Sequence, residues 1–447
     1  MTSRASAMRR RGPAGERGQV LALLLMLLAA LIGSLLFVFN SGQIVAAKVR
    51  LVGAADAAAY SAALSEARAL NFQAYMNRAI VANEVAIAQS VSLRSWSGYM
   101  NQLLQRSATI ATVVPPLGAP LRALSQVWRE IDRGVQRALP PLESAASHWN
   151  VEVLSRAEYV ADAQAAALAG SLARDIALAN VPELGAGGVG REFVVFNAAR
   201  WHAFTEGHGR FGDERARLRE VVMASRDGFT RARGWTLGLA SVAALRKRGG
   251  TDLIGYDSWR GMDTLALRVP GLLGIREGPL AWQAAENRRH AQAGRGEHGG
   301  SYRDNPRSSR YAARDVVASN GYAGIPAYRD VRIGRGRRGG PLRFDIELRQ
   351  PGGTIATSDV VLGGPGTVVP GEAPKKVLPA YHSGTAYALS AAQVVFQRPV
   401  GRADHRSELA SLFNPYWQAR LAPVTHAQRL VAAVARGDVA DPYLVLP

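Results

Sequence analysis

Val20–Phe39, VLALLLMLLAALIGSLLFVF, runs for twenty residues without a charge. A helix of this length crosses the roughly 30 Å hydrocarbon core of a bilayer. The run is longer than the apolar core of a signal peptide, usually about 7 to 15 residues, and no clear Ala-x-Ala cleavage site closely follows it. The sequence therefore predicts a retained transmembrane helix over residues 19–41.

The residues after this span predict that the helix continues into water. No Gly or Pro lies between Gly53 and Gly98, and Ala, Leu, Gln, Glu and Arg dominate, which favours helix for roughly another 60 Å. Apolar residues at spacings of four and seven predict one packing or docking face, which we expect to bury against helices further along the chain. This candidate face consists of Phe72, Met76, Ile80, Asn83, Ile87 and Val91. Arg68 and Arg94 are expected to lie on exposed faces of the same helix.

A family resemblance is carried by residues on both sides of the apolar span. Arg17, Gly18 and Gln19 precede it, and Asp56 follows it within the small-residue run 54–59. In this order, these features resemble the N-terminal module of TadE/TadG-like Flp pilus-assembly proteins. The resemblance implies a tight-adherence pilus machine, with membrane lipid and other pilus-assembly subunits as partners through the transmembrane and stem helices. Processed pilins carry Glu five residues after the cleavage Gly, whereas Leu23 stands five residues after Gly18, which argues against such cleavage.

The charges around the span predict its orientation. Five arginines precede residue 18 against the single acidic Glu16, and such a basic flank is normally held in the cytoplasm. The other long uncharged run, 377–397, contains too many polar residues to cross a lipid bilayer. We therefore expect a single pass through the bacterial inner membrane, a cytoplasmic tail over residues 1–18, and a periplasmic body.

The body is predicted to be α+β. A helical stem is expected over 42–181, in which two amphipathic helices, one ended by Pro140 and Pro141 and the next running from about Leu142 to Asn180, fold back on the anchor helix. Their apolar faces are Leu121, Leu124, Trp128, Ile131 and Val135 in the first, and Trp149, Val153, Val160, Ala163 and Ala167 in the second. Over 191–447, mixed α+β structure is expected, with a hairpin that pairs strand 342–348 with 355–362 through Pro351.

The charge distribution also bears on partners. The net charge is +19, and an Arg/Gly-rich segment over 286–341 predicts a loop. This loop is either a solvated basic insertion or a contact for anionic lipid or an acidic partner. Because the body is expected to be exported, nucleic acid is not an expected partner.

The sequence motifs that could indicate catalysis or cofactor binding lack the surrounding residues that such sites need. The chain has no cysteine, which excludes disulfides, Cys-ligated metals and thiol nucleophiles. Two G-x-G-x-x-G matches, at 185–190 and 334–339, lack the strand-to-helix setting that dinucleotide binding requires. His202, Glu206 and His208 are a weak metal cluster, and the aromatic segment 411–421 is either a docking site or a buried plug. We expect no catalytic residue, cofactor, metal or small-molecule substrate.

The sequence therefore predicts a single-pass, non-enzymatic structural component of a Flp/Tad-type pilus-assembly or secretion apparatus. Two alternatives remain open. One is a minor pilin-like subunit that leaves the membrane, and the other is an anchored extracytoplasmic hydrolase.

Overall fold

The computed structural model describes residues 17–110, 115–185, 187–209, 212–239, 243–271, 274–290, 304–332, 340–358, 384–406 and 408–437. The basic tail before Arg17 and the second glycine motif at 334–339 lie outside the described residues, as do parts of the Arg/Gly-rich segment. The described residues form long N-terminal helices followed by mixed helices and sheets, which confirms the predicted α+β class.

Helix α1, Arg17–Ile110, is a single element of 94 residues and therefore about 140 Å long. It passes through Gly42 and Gly53 because strong helix formers surround both. Between Val20 and Phe39 its side chains are almost all exposed, and this part is long and apolar enough to cross a membrane. From Asn40 onward one face of α1 is buried, so the helix that carries the exposed apolar span is also the central support of the body.

The next helices run back along α1. Helix α2, Pro115–Trp149, continues through a π-helical turn, Asn150–Leu154, into helix α3, Ser155–Asn180. The predicted break at Pro140 and Pro141 is wrong, because contacts on both sides of the prolines hold this helix against α1. Gln136 donates to the Arg94 carbonyl at 2.9 Å, and Glu143 pairs with the Arg94 guanidinium at 3.0 Å.

The predicted apolar faces of these helices pack on α1 only in part, where Trp128 lies edge-on to Trp96 of α1. Leu124, Ile131, Trp149 and Val160 are each about half exposed. Helix α3 instead meets α1 through small residues four apart, which let two backbones approach closely. These are Ala165, Ala169, Ala173 and Ala177, buried against an alanine-rich side of α1 that includes Ala58 and Ala62.

The remaining described elements are short helices and strands around α1. The helices are α4 Arg191–Phe204, α5 Ala216–Ser225, α6 Gly228–Arg231, α7 Pro306–Arg314 and α8 His426–Arg436. The strands are β1 Thr205–His208, β2 Trp235–Leu239, β3 Ala243–Ile254, β4 Ser258–Gly271, β5 Gly274–Arg288, β6 Val317–Asn320, β7 Tyr328–Val331, β8 Leu342–Pro351, β9 Thr385–Phe396 and β10 Trp417–Ala422.

These strands form three sheets. One sheet has the order β2-β3-β4-β5-β6, with β6 parallel to β5 and the other pairs antiparallel. A second has the antiparallel order β10-β9-β8, and β1 pairs with β7. Both larger sheets contribute buried side chains to clusters that include α1, so the core lies along the helix.

Two predictions about the later chain need correction. Strand β8 pairs with β9 over Leu342–Pro351, so its partner is not the segment that begins at Ile355. Residues 352–354 form a 3-10 turn, and Ser358 bonds to Asn40 of α1, which directs the chain away from β8. Within the predicted Arg/Gly-rich loop, β5 reaches Arg288 and residues 304–332 contain α7, β6 and β7. These elements form because Ser308, Ala312, Tyr322 and Tyr328 bury against the sheet and α1.

Candidate functional site

The junction between the exposed apolar helix and the body is fixed by one pair of residues. Asn40 Nδ2 donates to Ser358 Oγ at 2.9 Å, and the Ser358 backbone N–H donates to Asn40 Oδ1 at 2.7 Å. Both residues are buried. Because Phe39 directly precedes Asn40, the body begins where the apolar span ends.

The predicted family-motif residues separate into two groups. Arg17, Gly18 and Gln19 form the first turn of α1. Asp56 lies on the body side of Asn40, where its Oδ1 accepts a hydrogen bond of 2.6 Å from Ser390 Oγ of β9. The structure therefore gives Asp56 a place in the contact between α1 and the three-stranded sheet.

The predicted stripe on α1 is divided between interior and surface. Ile80, Ile87 and Val91 are almost completely buried, Met76 and Asn83 are half-buried, and Phe72 is 41% exposed. The buried three share a cluster with Leu218 and Val222 of α5, Trp259 of β4 and Leu154 of the π-helical turn. The stripe is therefore covered partly by residues of the expected range 121–180 and partly by α5 and β4. Asn83 Nδ2 donates to Asn150 Oδ1 of the π-helical turn at 2.8 Å.

Helix α1 also has a buried polar face that the apolar pattern did not predict. Gln73 and Glu66 precede Ile80 by seven and fourteen residues, and Glu84 and Asn77 precede Val91 by the same spacings. All four side chains are buried. Extending the seven-residue spacing of the apolar stripe to polar residues would have found them.

Asn77 and Gln73 of this face, and Ser95 one turn beyond Val91, each join α1 to a different segment. Asn77 Nδ2 donates to the carbonyls of Arg329 and Leu412, both at 2.9 Å. Gln73 Nε2 donates to Asp162 of α3 at 3.2 Å. Ser95 Oγ donates to Asp263 of β4 at 2.7 Å. Since such bonds are satisfied in only one register, they fix where each segment lies along α1.

Glu84 is the centre of the largest of these contacts. Its carboxylate accepts hydrogen bonds from Trp259 Nε1 at 2.9 Å, Tyr322 Oη at 2.7 Å and Asn150 Nδ2 at 3.0 Å. Burial raises the pKa of Glu84, and the three donors offset this rise in part. The π-helical turn widens the helix at Asn150 and places this side chain against α1, which is a frequent role of such turns.

The pKa of Glu66 and the pKa of Asp263 are shifted in opposite directions. Burial raises the pKa of Glu66 to about 8, and the Arg200 charge offsets only part of that rise. Glu66 Oε2 has no hydrogen-bond partner among the described residues. Burial also acts to raise the pKa of Asp263, but the Arg233 and Lys247 charges outweigh it and lower the value to about 2. Glu66 is therefore mostly protonated at neutral pH, whereas Asp263 is ionised.

The predicted weak metal cluster is not assembled. Glu206 and His208 are neighbours on β1, with 4.0 Å between His208 Nε2 and Glu206 Oε1, whereas His202 belongs to α4. In the described part of the chain, no three His, Asp or Glu side chains are grouped as metal ligands would be. The glycine motif at 185–190 lies against β8, where the Gly190 N–H donates to the Glu347 carbonyl at 3.0 Å.

The aromatic segment 411–421 is packed into the body. Leu412, Phe413 and Trp417 are buried, and Trp417 lies edge-on to Phe204 and Phe396. Asn71 of α1 forms two hydrogen bonds with the backbone of Trp417. It accepts from the Trp417 N–H at 3.0 Å and donates to the Trp417 carbonyl at 2.9 Å. The structure favours the buried-plug interpretation of these aromatic residues.

Comparison with known families identifies the anchor region. A family model described as putative Flp pilus-assembly TadE/G-like matches residues 18–67. The anchor segment is TadE/G-like. The resemblance predicted from Arg17–Gln19, the apolar span and Asp56 is thereby confirmed.

The TadE/G-like match covers the apolar span, the Asn40 junction and the alanine-rich part of α1 that packs on α3. It ends at Ala67, before Gln73, Asn77 and Glu84. No curated protein and no solved structure matches the chain. The family match and the exposed apolar helix together support membrane anchoring of a pilus-assembly component.

Proposed function

We propose that this chain is a non-enzymatic structural component of a Flp/Tad-type pilus-assembly or secretion apparatus. In this proposal α1 crosses the bacterial inner membrane once, the N-terminus is cytoplasmic, and the body stands in the periplasm. The observation that carries the proposal is the continuity of α1. The TadE/G-like segment contains both the apolar span and the first part of the body in one unbroken helix.

A structural role agrees with how the body is attached. A helix that is both anchor and central support transmits the position of the membrane to each segment bonded along it. The buried carboxylates also fit this role, because Glu84, Glu143 and Asp263 are occupied by donors that connect α1, the other helices and the sheet. A catalytic carboxylate instead has to reach a substrate.

The proposal is tested by separating anchor and body in cells. The chromosomal gene is deleted and complemented either with the full chain or with a chain in which residues 1–41 are replaced by a cleavable signal peptide. We expect the full chain to restore surface pili and the released body to fail, although it is exported and folded. Sheared-pilin immunoblots and electron microscopy measure piliation, and protease resistance of the periplasmic fraction checks folding.

Two results contradict the proposal. Normal piliation in the deletion strain would remove the pilus-assembly role. Full complementation by the released body would remove the anchoring requirement and favour the minor pilin-like alternative, which N-terminal sequencing of the mature protein then tests.

A further inference from the structure

A line of large apolar side chains runs along the outside of α2 and the π-helical turn. Their exposed fractions lie between 37% and 64%. We call this line the outer stripe, and it consists of Leu124, Val127, Ile131, Leu142, Trp149 and Val153.

The outer stripe has the pattern of a helix–helix contact. Its members, with the exposed Gly134, Ala138 and Ala145 between them, follow one another at spacings of three and four residues. This spacing keeps them on one side of a helix, and sustained over several turns it is typical of a coiled-coil seam. The side that faces α1 is different, since it carries Ser125, Glu143 and Ser147.

The outer stripe lies too far from the lipid for the membrane to cover it. The end of the outer stripe nearer the apolar span lies beside Glu84, which accepts a hydrogen bond from Asn150. The part farther from the span lies beside Ser97, whose carbonyl accepts a hydrogen bond from Trp128 Nε1 at 3.1 Å. Glu84 is 44 residues beyond Asn40 along α1, which is about 65 Å at 1.5 Å per residue. A protein helix is therefore the partner that this surface fits.

We propose that the outer stripe is the interface between two copies of this chain, which pair in parallel and in register. The proposal rests on the membrane anchoring in the proposed function. Two copies anchored with the same orientation are related by a two-fold axis only if that axis lies along the membrane normal. Such an axis places every residue at the height of its equivalent, so the outer stripe of one copy meets the outer stripe of the other.

Charge and area agree with this pairing. Between Leu124 and Trp149 the stripe has no charged member, and the neighbouring Glu130 and Arg133 pair with each other at 2.5 Å. Arg156 lies on the same side below Val153, where two copies would oppose like charges, so the contact ends above it. The exposed area of the six residues in two copies is on the order of 1,100 Å², just above the roughly 1,000 Å² that a biological interface should bury.

The test measures the oligomeric state of the purified full-length chain in lipid nanodiscs by mass photometry over a dilution series. We expect a dimer. Leu142→Glu and Trp149→Glu should each weaken dimerisation at least tenfold, while the matched exposed variant Leu409→Glu leaves it unchanged. Circular dichroism and melting curves show whether each variant is folded, and an unaltered fold is expected because both stripe residues are more than half exposed.

Disulfide cross-linking tests the register without disturbing the packing. The chain has no native cysteine, so single Ala138→Cys and Ala145→Cys variants report only their own proximity. Both should form covalent dimers on mild oxidation, whereas Ala224→Cys, an exposed alanine on α5, should not.

Three results would overturn the proposal. A wild-type monomer at all concentrations contradicts it directly. Dimers that survive both Glu substitutions place the contact elsewhere, for example between the anchor helices. Cross-linking of Ala138→Cys in cells to a different protein, with no self-adduct, assigns the stripe to another subunit. None of these results depends on pilus formation, so failure here is distinguishable from failure of the proposed function.

Discussion

Arg94 of α1 and Glu143 of α2 form a buried ion pair, with 3.0 Å between Arg94 Nη1 and Glu143 Oε2. The sequence predicts Arg94 on an exposed face of the helix, but its side chain is 1% exposed. Glu143 also accepts from Ser90 Oγ at 2.7 Å, and Arg94 donates to Ser319 Oγ of β6 at 3.0 Å. One pair of charges therefore joins α1, α2 and the five-stranded sheet, two residues after the prolines that were expected to end the helix.

Removing one partner of this pair should be strongly destabilising. Glu143→Ala leaves the Arg94 charge buried without its carboxylate, and we expect a loss of about 3 to 5 kcal/mol in the free energy of unfolding. The double variant Arg94→Leu/Glu143→Leu should recover most of the loss. Urea unfolding followed by Trp fluorescence measures both. The control is Glu130→Ala, whose partner Arg133 is exposed, and which should cost under about 1 kcal/mol. Equal effects at the two sites would contradict the buried-pair interpretation.

Glu66 should make stability depend on pH. Its pKa rises from 4.5 to about 8 on folding, so the folded chain holds this proton more tightly than the unfolded chain. The contribution of Glu66 to stability is full below pH 4.5 and is lost as the pH rises to about 8, a loss of roughly 4 to 5 kcal/mol. Glu66→Gln should therefore gain stability relative to the native chain across this window. Denaturant titrations at pH 5, 6.5 and 8 measure the difference, and the exposed Glu152→Gln is the control. A constant difference between Glu66→Gln and the native chain would disprove the raised pKa.

Ile80 tests whether the buried part of the predicted stripe supports the body. Ile80→Asp places a carboxylate in the cluster with Leu218, Val222 and Trp259, and we expect a loss of about 4 kcal/mol or more. Ala82→Asp, an exposed position two residues later, should change melting by only a few degrees. Melting curves and limited proteolysis of the full chain compare the two. Unchanged melting of Ile80→Asp would mean that this face is a docking surface for another subunit.

The orientation proposed from the arginine-rich tail is tested with single cysteines. Ala5→Cys lies in the tail, and Leu409→Cys lies at a position of the body that is 64% exposed. In spheroplasts, a membrane-impermeant maleimide should label Leu409→Cys before lysis and Ala5→Cys only after it. The reverse pattern would place the body in the cytoplasm and remove the periplasmic part of the proposed function.

The sequence alone predicted a long apolar helix that continues into the body, the α+β class and the TadE/G-like resemblance. These features depend on local properties, since a long uncharged run and a stretch free of Gly and Pro have few alternative conformations. Tertiary structure decided which faces meet. Periodicity predicted an apolar side of α2, but not that α1 would present Arg94 to its polar side, which leaves the outer stripe exposed. Nor did periodicity predict that small alanines of α1 would pack on α3. The raised pKa of Glu66 likewise arises from burial, which depends on neighbours that local sequence does not specify. Two partners of the buried Glu84, Trp259 and Tyr322, are 175 and 238 residues away along the chain.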